Sequence, residues 1–191
     1  NYGIMRMPEG SALTLGQGLY VRNNGNLIIA GSQDQPVTIS RLGTPRPWFQ
    51  VEYNGRISAE WGNFQYLDAS GVNVMAGAIV DPLKAFNHCS FLNGVAEGTA
   101  LTLNDSGSYT VTGANFGDNS WGSSHNVSKT VDLGEVFFAS CLGSFSGPAY
   151  EDDAYGRIQW NDFKANLIVT SAAWNVTSVE IGNPATLTAT I

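Results

Sequence analysis

The chain has 191 residues, which allows one sizeable core, and only 13% of them are charged. The formal net charge of −7 and only nine scattered basic residues argue against a nucleic-acid partner, because phosphate binding needs clustered Lys and Arg. No run of 18 apolar residues occurs, so the sequence predicts no membrane span. The chain begins at Asn1 without a visible signal peptide, and we expect a mature or excised piece of a longer protein.

The first fifty residues indicate short strands separated by tight turns. Residues 1–10 are an irregular lead-in, after which apolar residues alternate with polar ones and are interrupted by glycine and asparagine. Residues 42–47 contain two prolines and are predicted to form a loop, and a strand resumes at Phe49. With 22 glycines and frequent β-branched and aromatic residues, the composition predicts an all-β fold.

A six-residue pattern then recurs, in which an apolar residue is followed five positions later by phenylalanine. The spacings between successive phenylalanines are 27, 25, 22 and 25 residues, a near-constant period that is typical of a solenoid. The hexads are residues 59–64, 86–91, 111–116, 133–138 and 158–163, and they end at Phe64, Phe91, Phe116, Phe138 and Phe163.

We interpret each hexad as two short strand pieces that meet at a corner. The first, fourth and sixth positions would face inward, which strict alternation allows only if the chain bends near the third position. Stacked rungs of this kind make a parallel β-helix of about seven coils, with the five phenylalanines in one inward stack. The third positions are held by Trp61, His88, Gly113, Glu135 and Trp160.

The two cysteines are predicted to be buried free thiols. Cys89 occupies the inward fourth position of its hexad, and Cys141 follows two repeats later. Two rungs of a parallel sheet are separated by roughly 9.6 Å, which is too far for a disulfide bond.

Several segments resemble right-handed β-helix proteins of the pectate-lyase-like superfamily. Residues 25–40, with Gly25, Leu27 and Gly31 before a Pro-Val-Thr-Ile stretch, resemble the opening coils, and residues 86–93 resemble a recurring rung. The resemblance covers about residues 13–163 and implies a β-helix domain over residues 1–165. The superfamily contains lyases, hydrolases, adhesins and inert surface modules. Its corner asparagine is missing from the third hexad position of this chain.

The C-terminal segment, residues 166–191, has a different character. Its two strand-like runs are similar to the first two strands of a bacterial immunoglobulin-like adhesion module. A full sandwich of that kind needs about seven strands. We therefore expect this immunoglobulin-like strand pair either to begin a further domain or to pair with another copy of the chain.

Two groups of residues are candidates for metal binding or catalysis. The acidic run Glu151, Asp152 and Asp153 could bind Ca²⁺, the single candidate cofactor, act in a sugar-cleaving pair, or simply solvate a loop. A lyase needs a basic residue that abstracts a proton beside a neutralised carboxylate. No lyase motif is present among the residues that could serve, which are Lys84, His88, His125, Lys129 and Arg157.

Aromatic residues are the candidate glycan-binding groups, because apolar sugar faces stack on exposed rings. The alternative is that these rings cover the ends of the core. The candidates are Trp61 and Trp160 at the corner position, with Tyr66, Trp121 and Tyr155 in strand ends or loops. Asn104, Asn126 and Asn175 fit the N-glycosylation acceptor pattern, which would mark exposed loops in a secreted glycoprotein.

The leading functional prediction is a non-catalytic module at the cell surface or outside the cell. It would be structural, adhesive or glycan-binding, with head-to-tail self-assembly into filaments through the C-terminal strands. The alternative is a polysaccharide lyase or glycoside hydrolase, which a groove with clustered basic residues and carboxylates would favour.

Overall fold

A computed structural model describes residues 3–117 and 125–161. Over these residues the chain winds as a parallel β-solenoid of about six turns, followed by one strand of a further turn. The all-β prediction is confirmed, because the only helical segment in the described ranges is a single 3-10 turn, Pro148–Tyr150. The C-terminal strand pair and the domain boundary predicted at residue 165 lie outside the described residues.

Each of the first five turns contributes three strands. The first two turns contain β1 (Ile4–Pro8), β2 (Ala12–Leu15), β3 (Gly18–Val21), β4 (Asn26–Ala30), β5 (Val37–Arg41) and β6 (Trp48–Val51). The third and fourth contain β7 (Arg56–Glu60), β8 (Gly62–Gln65), β9 (Val72–Val74), β10 (Ile79–Val80), β11 (Ser90–Leu92) and β12 (Thr99–Leu103). The remaining strands are β13 (Tyr109–Thr112), β14 (Asn115–Phe116), β15 (His125–Lys129), β16 (Val136–Ala139), β17 (Asp152–Asp153) and β18 (Ile158–Asn161).

Equivalent strands of successive turns pair in parallel and form four sheets. The first sheet is β1-β4-β7-β10, the second is β2-β5-β8-β11-β14, and the third is β3-β6-β9-β12-β15-β17. The fourth sheet, β13-β16-β18, takes over from the first after a loop in the fourth turn. Within that loop Asn87 bridges to Glu60, and the His88 amide donates to the Thr112 carbonyl at 2.7 Å, so hydrogen bonding continues across the change.

The bend predicted at the third hexad position is confirmed. Trp61, His88 and Gly113 have φ values of 52°, 55° and 65°, and Ser140 follows in the same column with 53°. The glycine is required by its neighbour, because a Cβ on Gly113 would stand 2.5 Å from Nδ1 of His88. The left-handed residue turns the chain sharply between two sheets, so that both flanking strand pieces face the same core.

The first three hexads have the predicted inward residues. Their first, fourth and sixth positions are all buried: Ala59, Gly62, Phe64, Phe86, Cys89, Phe91, Val111, Ala114 and Phe116. The Phe64 and Phe91 rings are stacked with centroids 5.5 Å apart, and Phe91 and Phe116 follow at 5.3 Å. The parallel register places these rings directly above one another, so each turn buries its aromatic side chain against its neighbours.

The fourth and fifth hexads were predicted in the wrong register. Phe138 was predicted at the sixth position of the fourth hexad, but it pairs with Val111, which holds the first position of the third hexad. Trp160 pairs in turn with Phe138. Leu133, which was predicted to face inward, is 59% exposed. The short spacing of 22 residues therefore runs from Phe116 in the second sheet to Phe138 in the fourth sheet, which are not equivalent positions of the repeat. Phe138 is still buried and packs on Phe116 at 6.1 Å with tilted rings.

Correcting this register changes which residues hold the corner in the sixth turn. Ser140 is the third-position residue of that turn, and Glu135 is not. Trp160 is likewise not a corner residue, because it continues the inward column of Phe138 and stacks on that ring at 4.5 Å. Phe163, the fifth predicted member of the stack, lies outside the described residues.

Both cysteines are free and buried, as predicted. In the corrected register they share the fourth position and lie two turns apart, with Ala114 in the turn between them. Burial raises the pKa of each thiol to about 12. The cysteines therefore act as small core residues rather than as nucleophiles.

Replacing the central ring of the stack tests the register. Phe116→Ala should lower the free energy of unfolding by about 3–5 kcal/mol, because it removes a fully buried ring and leaves a cavity. Leu133→Ala is the control, since the incorrect register would bury Leu133, whereas the structure exposes it and predicts a change within about 0.5 kcal/mol. Urea denaturation of both variants measures the difference. Equal losses would contradict the corrected register.

Candidate functional site

The outer face of the third sheet carries a column of polar side chains. Four consecutive turns place an apolar-polar-apolar triplet there, in residues 49–51, 72–74 and 101–103, and again at 127–129, where Lys129 replaces the last apolar residue. Because side chains alternate along a strand, the middle residue of each triplet points outward. The parallel register aligns these middle residues as Gln50, Asn73, Thr102 and Ser128.

A groove of about 510 Å³ runs along this column. Ser70 and Thr99 lie on one side of it, and Asn104 and Thr130 lie on the other. The exposed Met75 adds apolar surface. The remaining lining residues are Ala69, Asn73, Ala76, Thr102, Ser128 and Val131, so the described lining contains amides and hydroxyls. The Asp152 carboxylate continues the column beyond Ser128 and accepts from its hydroxyl at 2.9 Å.

The described lining of the groove is suited to hydrogen bonding. Its hydroxyl and amide groups both donate and accept hydrogen bonds, which suits a ligand rich in hydroxyl groups. A general acid or base must lie within hydrogen-bond reach of the atom it protonates or deprotonates. Among the described residues that line the groove, the side chains are amides, hydroxyls and apolar groups, and Asp152 is the neighbouring carboxylate.

Sequence reasoning missed this column, although the signal was present. The triplets Phe49-Gln50-Val51, Val72-Asn73-Val74 and Leu101-Thr102-Leu103 show strict alternation. Their spacing follows the same repeat as the hexads. The outward members could thus have been aligned once the inward members were assigned to one column.

The predicted glycan-binding aromatics are not brought together by the fold. Trp61 lies at the corner between the first and second sheets, half-buried, with its ring stacked on His88 at 4.2 Å. Tyr66 lies at the corner between the second and third sheets, beside Arg41 and Arg46. Tyr155 is 55% exposed in the turn after β17. These three rings stand at different corners and form no common platform.

The other two aromatics do not extend that set. Trp160 packs against the end of the core on Phe138, and its indole Nε1 donates to Glu151. Its ring therefore covers the core, which is the alternative that the sequence left open. Trp121 lies outside the described residues.

The acidic run has three separate sets of partners. Glu151 accepts the hydrogen bond from Trp160, and Asp152 accepts one from the Ser128 hydroxyl at 2.9 Å. Asp153 accepts from the Ile158 amide at 2.7 Å and from the Tyr155 amide. Within residues 3–117 and 125–161, no group of three or more His, Cys, Asp or Glu side chains is placed to hold a metal ion. Calcium binding at this run stays a prediction.

The glycosylation acceptors differ in access. Asn126 is fully buried, its Nδ2 donates to the carbonyls of Phe145 and Gly147, and its Oδ1 accepts from Val127. In the folded chain Asn126 is therefore buried rather than part of an exposed loop, and glycosylation at the acceptor sites stays a prediction. Asn104 is half-buried in the groove wall, where its Oδ1 accepts from Thr130. Asn175 lies outside the described residues.

The basic residues considered for lyase chemistry are held by separate partners. Lys84 forms an ion pair with Glu60 at 2.6 Å, and Arg157 pairs with Asp132 and Glu135. His88 is stacked on Trp61, and His125 lies at the start of β15. None of these four residues lines the groove.

Lys129 belongs to a buried polar cluster inside the solenoid. Its Nζ donates to the carbonyls of Leu103 and Asp105, at 3.1 and 2.9 Å. The Asp105 carboxylate accepts from the Tyr109 hydroxyl at 2.8 Å and from the Gly107 amide. Burial raises the pKa of Asp105 and of Tyr109 and lowers that of Lys129, because it disfavours each charged form. The cluster closes the turn between β12 and β13.

Comparison with protein-family models, with curated proteins and with solved structures finds no match to this chain. In the part of the chain that the structure describes, no helix is long and apolar enough to cross a membrane. The class that the fold defines is thus a parallel β-solenoid with a polar groove on one sheet.

The buried Asp105 predicts a dependence of stability on pH. Its folded pKa is raised above the unfolded value near 3.9, so its stabilising contribution is complete below that value and is lost as pH rises through the folded pKa. Asp68 and Glu151 have raised pKa values for the same reason and act in the same direction. Asp105→Asn should therefore make the fall in unfolding free energy with rising pH shallower.

The measurement is urea unfolding at a series of pH values from about 3 upward, where linkage gives the slope directly. Asp34→Asn, at an exposed loop position, is the control and should leave the slope unchanged. A slope that is the same in wild type and Asp105→Asn would show that Asp105 does not titrate as described.

Proposed function

We propose that this chain is a non-catalytic extracellular module that binds glycans on the outer face of its third sheet. The observation that carries the proposal is the in-register column Gln50, Asn73, Thr102 and Ser128, together with the groove that follows it. Successive members lie one rung, about 4.8 Å, apart. A repeating polar surface of this kind suits an extended, hydroxyl-rich polymer.

The amides and hydroxyls of the described groove lining, with one carboxylate, Asp152, beside Ser128, support binding without cleavage. Glycoside hydrolysis uses two carboxyl groups at defined separation, and lyase chemistry uses a base beside a neutralised carboxylate. The groove offers amide and hydroxyl groups instead. The polysaccharide lyase or hydrolase alternative has no comparable support from the described residues.

The finer architecture we propose is the right-handed β-helix of the pectate-lyase-like superfamily. Support comes from the two-piece rung with one left-handed residue at its corner, at Trp61, His88, Gly113 and Ser140. The parallel crossover connections of β proteins are also overwhelmingly right-handed.

Removing the polar column tests glycan binding. The double variant Asn73→Ala/Thr102→Val should lose about fivefold or more in affinity for any polysaccharide that the wild type binds, because it removes two adjacent hydrogen-bonding groups worth about 0.5–1.5 kcal/mol each. Thr110→Val is the matched control, since Thr110 points outward from the fourth sheet. Affinity electrophoresis on a panel of neutral and acidic polysaccharides gives the readout.

Product release is assayed on the same panel. Binding that is unchanged in the double variant would place the ligand elsewhere on the molecule. Cleavage of any polysaccharide by the wild type would contradict the non-catalytic proposal and favour the enzymatic alternative.

We also propose head-to-tail assembly, supported by the exposed apolar side chain of the first described turn of the solenoid. Met5 is 40% exposed, whereas the residues aligned with it, Leu27 and Ile57, are 2% and 1% exposed. Within the described ranges β1, β2 and β3 each pair on one side only. Residues 185–191 alternate threonine with Ala, Leu and Ile, so as a strand they would present one apolar face to this end of a second copy.

Light scattering tests the assembly. The full chain should show a mass that rises with concentration, and a chain ending at residue 165 should be monomeric, because it lacks the segment that covers the open end. Met5→Asp in the full chain should also weaken association. Two monodisperse monomers would contradict assembly and indicate that residues 166–191 begin a further domain.

A further inference from the structure

Two arginines flank one tyrosine ring at the corner between the second and third sheets. The pairing of Ile39 with Phe64 brings Arg41 alongside Tyr66 in the next turn. The Arg41 guanidinium lies 4.4 Å from the centroid of the Tyr66 ring, and the Arg46 guanidinium lies 5.9 Å from it. Both contacts are within the range of cation–π interactions.

This cluster has no counter-charge in the part of the chain that the structure describes. Arg22, Lys84 and Arg157 each have a carboxylate within 4.0 Å, but Arg41 and Arg46 have none. The pKa of Arg46 is lowered, first by burial and then by the neighbouring Arg41 charge. Holding two like charges together without an anion is unfavourable, so a bound anion would relieve it.

Both guanidinium groups are fixed in place by main-chain carbonyls. Arg46 donates from Nη1 to the carbonyls of Leu67 and Asn93, at 3.1 and 2.7 Å, and Arg41 donates from Nη1 to Thr44 at 3.1 Å. Over residues 3–117 and 125–161, Nε and Nη2 of both arginines have no protein acceptor. A positioned guanidinium with free N–H groups is suited to a carboxylate or sulfate, which it can bind through two parallel hydrogen bonds.

The cluster adjoins the polar groove. The Leu67 carbonyl that accepts from Arg46 lies two residues before Ala69 and three before Ser70, which line the groove. The Asp68 amide also donates to the Pro47 carbonyl at 3.0 Å and joins the two loops. A chain that occupies the groove can therefore reach the arginines at its edge.

We infer that Arg41 and Arg46, held against Tyr66, bind the acidic group of a saccharide whose hydroxyl groups occupy the groove. The acidic group is a carboxylate or a sulfate ester, since both present oxygens to a guanidinium in the same way. This inference rests on the proposed glycan-binding function and specifies an acidic glycan as the ligand. A nucleic acid is disfavoured, because its binding needs clustered Lys and Arg along several phosphates, whereas this cluster holds two arginines that match a single acidic group.

Matched pairs of charged and neutral polysaccharides separate the contribution of the acidic groups to binding from that of the sugar chain. Polygalacturonate is compared with its methyl ester, which lacks the free carboxylates, and dextran sulfate is compared with dextran. The wild type should bind a charged polymer at least tenfold more tightly than its neutral partner at low salt, and added salt should reduce that preference. The pair that shows the preference identifies carboxylate or sulfate as the recognised group.

Variants assign the preference to the cluster. Arg41→Gln should abolish the charge preference while leaving binding of the neutral polymer unchanged, and Arg46→Gln should do the same. Arg46 also bonds to two carbonyls, so the melting temperature of its variant is measured alongside, and Arg41→Gln decides the result if Arg46→Gln unfolds. Arg56→Gln is the control, because Arg56 is exposed on the first sheet, away from the groove.

The outcomes distinguish the inference from the proposed function. Wild type that binds neutral and charged polymers equally, or a charge preference that survives Arg41→Gln, would overturn the acidic-group inference alone. Loss of preference in Arg56→Gln as well would show a general charge effect and would also overturn it. Failure of the wild type to bind any polymer would overturn the glycan-binding proposal and this inference with it.

Discussion

The left-handed bend between the first two sheet positions in the third to sixth turns, at Trp61, His88, Gly113 and Ser140, is the constraint on which the rest of the structure depends. Strict alternation would send the first and sixth residues of a hexad to opposite faces. A left-handed residue at the third position resets the alternation, so that Phe91 and Phe86 enter the same core. Non-glycine residues are strained in that conformation, and the backbone pairing on both sides of the corner compensates.

The same constraint explains where the surface of the protein becomes regular. From the third turn on, the corner is the same, and the strands of the third sheet pair in register, so that the outward residues of the triplets form one column. The first sheet is less regular, although the fourth turn keeps the corner at His88. In the fourth turn the loop after β10 interrupts the first sheet, and a new sheet begins at β13.

The solenoid and most of its core could be predicted from the sequence, because the repeat period is visible in the sequence without knowledge of the tertiary structure. Phe64, Phe91 and Phe116 were aligned correctly. The error at Phe138 arose because a phenylalanine recurred at nearly the right distance in a neighbouring sheet, and one residue type cannot distinguish two columns. The candidate site was harder to predict, since the approach of Arg41 and Arg46 to Tyr66 depends on cross-turn pairing rather than on adjacency in the chain.

Because side chains alternate along each strand, the residues that stabilise the core are distinct from the residues that form the outer surface. Inward residues such as Val74 and Leu103 are fully buried and carry the hydrophobic stabilisation. The outward neighbours Asn73 and Thr102 contribute little to the core, because they point away from it. Lys129 is the exception, since it occupies an inward position, where its ammonium donates to two carbonyls and lies near the Asp105 and Asp153 carboxylates. The outward residues can therefore be replaced at little cost to the stability of the fold, except beside Lys129, where a charged residue is buried.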